Sequence, residues 1–391
     1  MAAEEQVRTA VVIVHGMGEK RPLETFDGFV RTALHPHDGQ WDYYPRPAEV
    51  TDTYEARRYS ARKREAPREQ RHTEFFEYHW QFLMTAGKFA GVAPTALRLF
   101  LRRPGNVPDA LLGIWRLAWS AVLAVLLVIP VLFVAGYALN SDVPAWIIGL
   151  TISAVVLIFW FGLYRILARA LVNKTTRPLV DSARYLDPSP YSYAARRAVR
   201  GGLVDLLRDL YEGGYARIIV VAHGVGAYIS YDALALLWAQ TQCKQGKPWR
   251  ITDFVTIGAP LVLADLLLTR PSLLSGLKTS DGTLRRELFD DLFRRGVLVA
   301  CPPESERLSE SPFAATRWTN LWFPVTRGSR RGDWFGGELG SLFGPGIRDV
   351  AVSGNQPERF KRGSAHTEYF SHPEKGADGD IAWHLRRILG L

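Results

Sequence analysis

RIIVVAHGVGAYISYDALALLW, residues 217–238, changes its hydrophobic period halfway along. Its first part, Ile218 to Val221, is an apolar, β-branched run of the length of a buried strand. Ala222-His223-Gly224-Val225-Gly226 follows, small and glycine-rich, and suits a tight turn. Beyond it Ile229, Ala233, Leu236 and Leu237 fall on one helical face. Strand, short turn and helix in that order predict one βα unit of a mostly parallel sheet. Working outward, Thr9 to His15 (TAVVIVH), Ile251 to Ile257 (ITDFVTI) and Arg317 to Phe323 (RWTNLWF) read as further strands. Ala194 to Tyr211 reads as an amphipathic helix feeding the central strand. Val50 to Ser60 alternates like a strand, and Thr73 to Trp80 (TEFFEYHW) is strand-like and aromatic, which makes Glu77 and His79 structural rather than catalytic.

The turn after the first strand, Gly16-Met17-Gly18-Glu19, admits several chemistries. A dinucleotide loop needs a third glycine where Arg21 stands, and a phosphate loop needs a Gly-Lys-Ser/Thr that is absent. His15-Gly16-Met17-Gly18 fits instead a turn whose backbone N–H points at a developing oxyanion.

Taken with that turn, Ala222-His223-Gly224-Val225-Gly226 followed by Ala227-Tyr228 resembles the nucleophile elbow, G-x-S-x-G, of the α/β-hydrolase superfamily, its lipase-like members in particular. Gly258-Ala259-Pro260-Leu261 resembles the G-[SA]-P turn of the same proteins. The resemblance covers residues 9–34, 194–261 and 316–372, somewhat under half of the chain. It implies an α/β-hydrolase fold, a mostly parallel central sheet with helices on both faces. It also implies oxyanion donors at Met17 and Val225, within motifs marked by His15, Gly16, Gly18, His223 and Gly226. The acid should follow the late strand. Asp333, in a stretch resembling D-x-x-G-G-x-L, is the first candidate, with Glu338 and Asp349 behind it. The base should be His366, with His372 as its rival. Where the family carries its serine stands Gly224, which has no side chain with which to attack.

Composition and charge bound the remaining possibilities. The chain has 391 residues, 47% of them hydrophobic, with 12 Trp, a net charge of +9 and a pI near 9.6. That length fits two average domains or one large α/β domain with an insertion. Cys243 and Cys301 offer neither a disulfide framework nor metal spacing and suit a reducing compartment. His35-Pro36-His37-Asp38 lacks the further ligands a metal site needs, so no metal and no cofactor is expected. The opening MAAEEQVRTA has no basic or apolar signal region, which predicts no cleaved leader.

Residues 117–140 and 143–164 are uncharged, and each is long enough to cross a hydrocarbon core as a helix. Only Ser141-Asp142 separates them, so they predict a transmembrane hairpin. Trp115, Trp119, Trp160 and Tyr164 fall near one interface and Trp146 near the other. Arg98, Arg102, Arg103 and Arg116 precede the pair, and Arg165, Arg169, Lys174 and Arg177 follow it. The positive-inside rule then places both outer ends, and the hydrolase domain, in the cytoplasm. The stretch from Phe82 to Leu101 is too broken by Gly and Pro to span and reads as interfacial or as a cap. The basic run from Arg57 to Arg71 suits solvent or anionic headgroups.

Membrane contact thus accounts for much of the positive charge, and nucleic acid is not expected as a partner. The expected organisation is hydrolase sequence over 1–80, a membrane-associated insertion over 81–180, and the rest of the hydrolase domain over 181–391. The expected function is a membrane-anchored serine ester hydrolase, a lipase or esterase acting on lipid or other acyl esters, inactive as written because Gly224 replaces the serine. The alternative is a pseudo-hydrolase that binds a lipid or protein partner. Homo-oligomerisation is left open.

Overall fold

The computed structural model describes residues 8–16, 24–34, 41–63, 72–84, 182–187, 190–242, 248–269, 281–303, 311–325, 332–352, 365–370 and 380–391, with scattered positions between 100 and 155. The chain runs through β1 (Arg8–Val14), α1 (Glu24–Leu34), β2 (Trp41–Val50), β3 (Glu55–Lys63) and β4 (His72–His79). It continues with α2 (Pro190–Glu212), β5 (Arg217–His223), α3 (Gly226–Gln242), β6 (Ile251–Ile257) and α4 (Asp281–Arg294). Last come β7 (Arg317–Trp322), β8 (Arg348–Ala351) and α5 (Ile381–Leu389).

All eight strands form one sheet in the order β2-β3-β4-β1-β5-β6-β7-β8. β4, β1, β5, β6, β7 and β8 are mutually parallel, and only β2 and β3 run antiparallel at one edge. The apolar runs of β1 and β5 have the composition of parallel strands covered on both faces. Ala10, Val12, Val14, Ile218 and Val220 point into a core shared with α2 and α3. Val11, Ile13, Ile219 and Val221 point into a second core, shared with α1 and α5. Buried Phe26, Phe29, Val30, Ala33 and Leu34 trace one helical stripe along α1. The result is a three-layered α/β sandwich, as the βα pattern predicts.

The connections diverge at the centre of the sheet. From β1 the chain leaves toward α1 on one face, and from β5 it leaves toward α3 on the other. A crevice outside the carboxyl ends of two such strands is where ligands bind in open α/β sheets.

The polar edge departs from the sequence reading. Val50 to Ser60 is not one strand: β2 ends at Val50, a turn closes through Thr51 N–H to Tyr54 O at 2.9 Å, and β3 begins at Glu55. The β2 stretch WDYYPRPAEV carries two prolines, which a sheet tolerates at an edge. Arg57 and Arg58 are not solvated surface or headgroup contacts. They lie in β3 and pair with Glu77 at 3.1 Å and Glu74 at 2.9 Å on β4. The rest of that basic run from 64 to 71, the residues 35–38, and nearly all of 117–140 and 143–164 lie outside the described residues. Among the described residues, no helix is long and apolar enough to cross a membrane.

Candidate active site

The turn after β5 is built so that only glycine fits at two of its positions without strain. Gly224 has φ +56°, in the left-handed region. Its N–H donates to the Ile257 carbonyl at 3.1 Å, and its own carbonyl accepts from Ala227 N–H at 3.0 Å, so the reversal is pinned at both ends. At Gly226 a Cβ would lie 2.2 Å from the Val14 carbonyl oxygen. The missing side chain there lets α3 start against the end of β1. Val225, between them, is buried, and its N–H donates to no described residue.

A Cβ at position 224 would point at His366, with Nε2 3.2 Å away, and would lie 3.5 Å from the Gly16 Cα. The other ring nitrogen of His366, Nδ1, lies 3.1 Å from each carboxylate oxygen of Asp333. Carboxylate, imidazole and position 224 therefore stand in a line, although they come from three separate segments. Asp333 is fully buried and His366 nearly so.

A buried carboxylate needs donors, and Asp333 has them. Phe335 N–H donates to Oδ1 at 2.8 Å and the Tyr369 hydroxyl to Oδ2 at 2.8 Å. Tyr369 in turn accepts from Phe323 N–H at 3.0 Å. Burial, and then the nearby Asp333 charge, raise the Tyr369 hydroxyl well above its ordinary range, so it keeps its proton and acts as the donor. Room for the carboxylate comes from glycine. A Cβ on Gly258 or Gly336 would lie 2.6 Å or 2.9 Å from Oδ2. Gly258 belongs to the Gly-Ala-Pro turn singled out in the sequence, and its φ is +54°.

His223 reaches the same site from the elbow. Its Nε2 donates to the His366 carbonyl at 2.9 Å, and the two rings stack at 5.0 Å. At the end of β1, His15 stacks on Trp80 at 5.7 Å, while the Trp80 indole N–H donates to the His15 carbonyl at 3.1 Å. Gly16 lies close to both His223 and Gly224. Met17, Gly18 and His372 lie outside the described residues.

The fallback acids have other environments. Asp349 accepts from Asn320 Nδ2 at 2.7 Å, Leu339 N–H at 3.0 Å and Gly340 N–H at 2.7 Å, which makes it a clamp on the loop after Asp333. Glu338 is exposed. Glu77 pairs with Arg57, and His79 stacks with Phe82 at 5.5 Å. Among the described residues no group of His, Cys, Asp and Glu could hold a metal ion.

Motif order alone pointed to Asp333 and His366. Tyr369 and the structural part played by His223 were missed, because a tyrosine in a polar loop and a histidine inside a turn motif carry no periodic signal. Chemically, the arrangement offers an imidazole held in one tautomer by a carboxylate, its free nitrogen directed at position 224. The chain matches no family model, no curated protein and no solved structure.

Proposed function

We propose that this chain has the scaffold of a membrane-anchored serine ester hydrolase, of the lipase or esterase kind, with glycine at the nucleophile position. The observation that carries the reading is the line from Asp333 through His366 to position 224: the carboxylate lies 3.1 Å from Nδ1, and Nε2 lies 3.2 Å from where a Cβ at 224 would stand. The order elbow, acid, base along the chain is that of α/β-hydrolases. With a serine at 224, its proton passes to His366 Nε2 as Oγ attacks the acyl carbon. The Val225 N–H, with Met17 proposed beside it, stabilises the oxyanion. The imidazolium then protonates the leaving alcohol, and water releases the acid from the acyl-enzyme. As the sequence stands, the first bond cannot form, and only binding and residual acceleration remain.

Anchoring by the 117–140 and 143–164 hairpin, with the hydrolase domain cytoplasmic, belongs to the same proposal. It is supported by apolar side chains left exposed within those stretches: Leu123 at 53%, Leu126 at 57%, Val134 at 65% and Val155 at 51%. Leu112 and Trp115, just before them, pack on the core shared with α2 and α3. The insertion follows Trp80, which stacks on His15 at the carboxyl end of β1. Substrate drawn from the bilayer, a lipid or other amphiphilic acyl ester, would meet the site on that edge.

The alternative, a protein that binds such a ligand or a protein partner without chemistry, is favoured by Gly224 itself, since glycine is at ease at φ +56°. Gly224→Ser in the full chain, in detergent, separates the two. The hydrolase reading expects turnover of short-chain p-nitrophenyl esters that a further His366→Ala change abolishes. A folded Gly224→Ser protein without turnover leaves the binding reading.

A further inference from the structure

At the end of the strands opposite the candidate active site, the sheet opens on arginine. Arg217 starts β5, Arg317 starts β7 and Arg348 starts β8, while Asp253 stands near the start of β6. These four residues, with His384 and Arg387 of α5, line a cavity of about 550 Å³. Among the described residues, four guanidinium groups therefore share this cavity with one carboxylate.

That carboxylate is already engaged. Arg217 reaches Asp253 at 2.7 Å and Arg317 reaches it at 2.8 Å. Arg217 is further occupied by the Ile388 carbonyl at 2.7 Å and the Leu389 carbonyl at 3.3 Å, which fixes it against the end of α5. Arg348 and Arg387 have no carboxylate partner among the described residues. Both are exposed and rim the cavity. Burial, then the Arg348 and Arg387 cations, hold the His384 imidazole below its ordinary range, against the opposing pull of Asp380. The Thr319 hydroxyl also lines the cavity and has no hydrogen-bond partner among the described residues, and buried Phe313 and Trp318 contribute apolar wall.

Unpaired guanidinium groups converging on a partly closed space are how proteins recognise phosphate, through paired N–H donors and charge. The volume falls in the range of small-molecule sites and exceeds what a single phosphate fills. We propose that this cavity binds a phosphate-bearing anion, with Arg348 and Arg387 as its principal contacts and Arg317 and Thr319 in support. The phosphate comes either from a soluble compound or from a lipid headgroup. The proposal does not depend on the hydrolase reading, because the cavity lies at the other end of the strands.

The test is isothermal titration of the full chain in detergent with inorganic pyrophosphate, and separately with dihexanoyl phosphatidic acid. Pyrophosphate binding that weakens at least about tenfold in Arg348→Ala/Arg387→Ala supports the proposal with a soluble source. Binding of the lipid alone, with the same loss, supports it with a headgroup source. Both side chains are exposed, so an unchanged Tm certifies the fold of the double variant. His366→Ala is expected to leave both titrations unchanged. Absence of heat with both probes, or binding that the double variant retains in full, overturns the proposal.

Discussion

Asp333 is the residue on which the candidate site turns, and its surroundings hold it toward His366. Both oxygens accept hydrogen bonds, the Phe335 N–H and the Tyr369 hydroxyl holding the carboxylate in the plane it offers to His366. In the proposed reaction Tyr369 would act through Asp333, as a positioning residue. In a Gly224→Ser background, Tyr369→Phe is expected to lower kcat about tenfold with little change in KM, the effect of one lost charge-assisted hydrogen bond. It should also lower Tm, because the buried Phe323 N–H loses its acceptor. Equal loss from Tyr369→Phe and Asp333→Asn, or a change confined to KM, would contradict that role. At this scale the sequence was legible only where a motif order existed. Asp333, Glu338 and Asp349 all follow β7, and in the sequence only the likeness of the Asp333 stretch to D-x-x-G-G-x-L ranks them. Hydrogen-bond partners do: Asp349 is spent on the Leu339 and Gly340 amides, while Asp333 faces the histidine.

Among the elements, β1 and β5 were legible because a strand covered on both faces has to be apolar throughout. β3 was legible in part, within the Val50 to Ser60 reading, but β2 was not, because Pro45 and Pro47 hide a strand whose pairing is set by its neighbour. Helix α3 was legible from the turn before it, yet it carries a half-buried carboxyl that periodicity does not explain. Asp232 accepts from the Tyr185 hydroxyl at 2.9 Å, with Arg200 and Arg196 nearby. Burial outweighs these partners and raises its pKa above the ordinary 3.8. The folded state thus holds this proton more tightly than the unfolded state. Its contribution to stability is greatest below 3.8 and falls as pH rises toward the raised value, after which it is flat. Asp232→Asn should remove that component. The Tm difference, variant minus parent, is expected to grow from pH 4 toward neutrality in thermal melts. Parallel Tm–pH curves would contradict the assignment.

For the whole molecule, the question is what the two uncharged stretches, 117–140 and 143–164, add to a sheet domain that already has two cores and its own candidate site. Exposed Leu123, Leu126, Val134 and Val155 would be costly in water, and the bilayer is the environment proposed for them. The full chain expressed in cells is expected to stay in the membrane pellet through an alkaline carbonate wash. Deletion of 117–164 should release it to the supernatant. A full chain found in the supernatant at the start removes the anchor from the account. Here the sequence carried the argument alone, because span length and flanking charge are properties of composition that need no tertiary partner.

The central claim is that position 224 is where a nucleophile faces His366. Treating the Gly224→Ser chain with a fluorophosphonate and mapping the adduct by peptide mass spectrometry tests it most directly. The serine pays of order 1–2 kcal/mol for its left-handed backbone, so the fold should survive. The account predicts a single adduct on residue 224 that disappears when His366→Ala is added. A folded Gly224→Ser chain that takes no adduct, or takes it elsewhere, contradicts it.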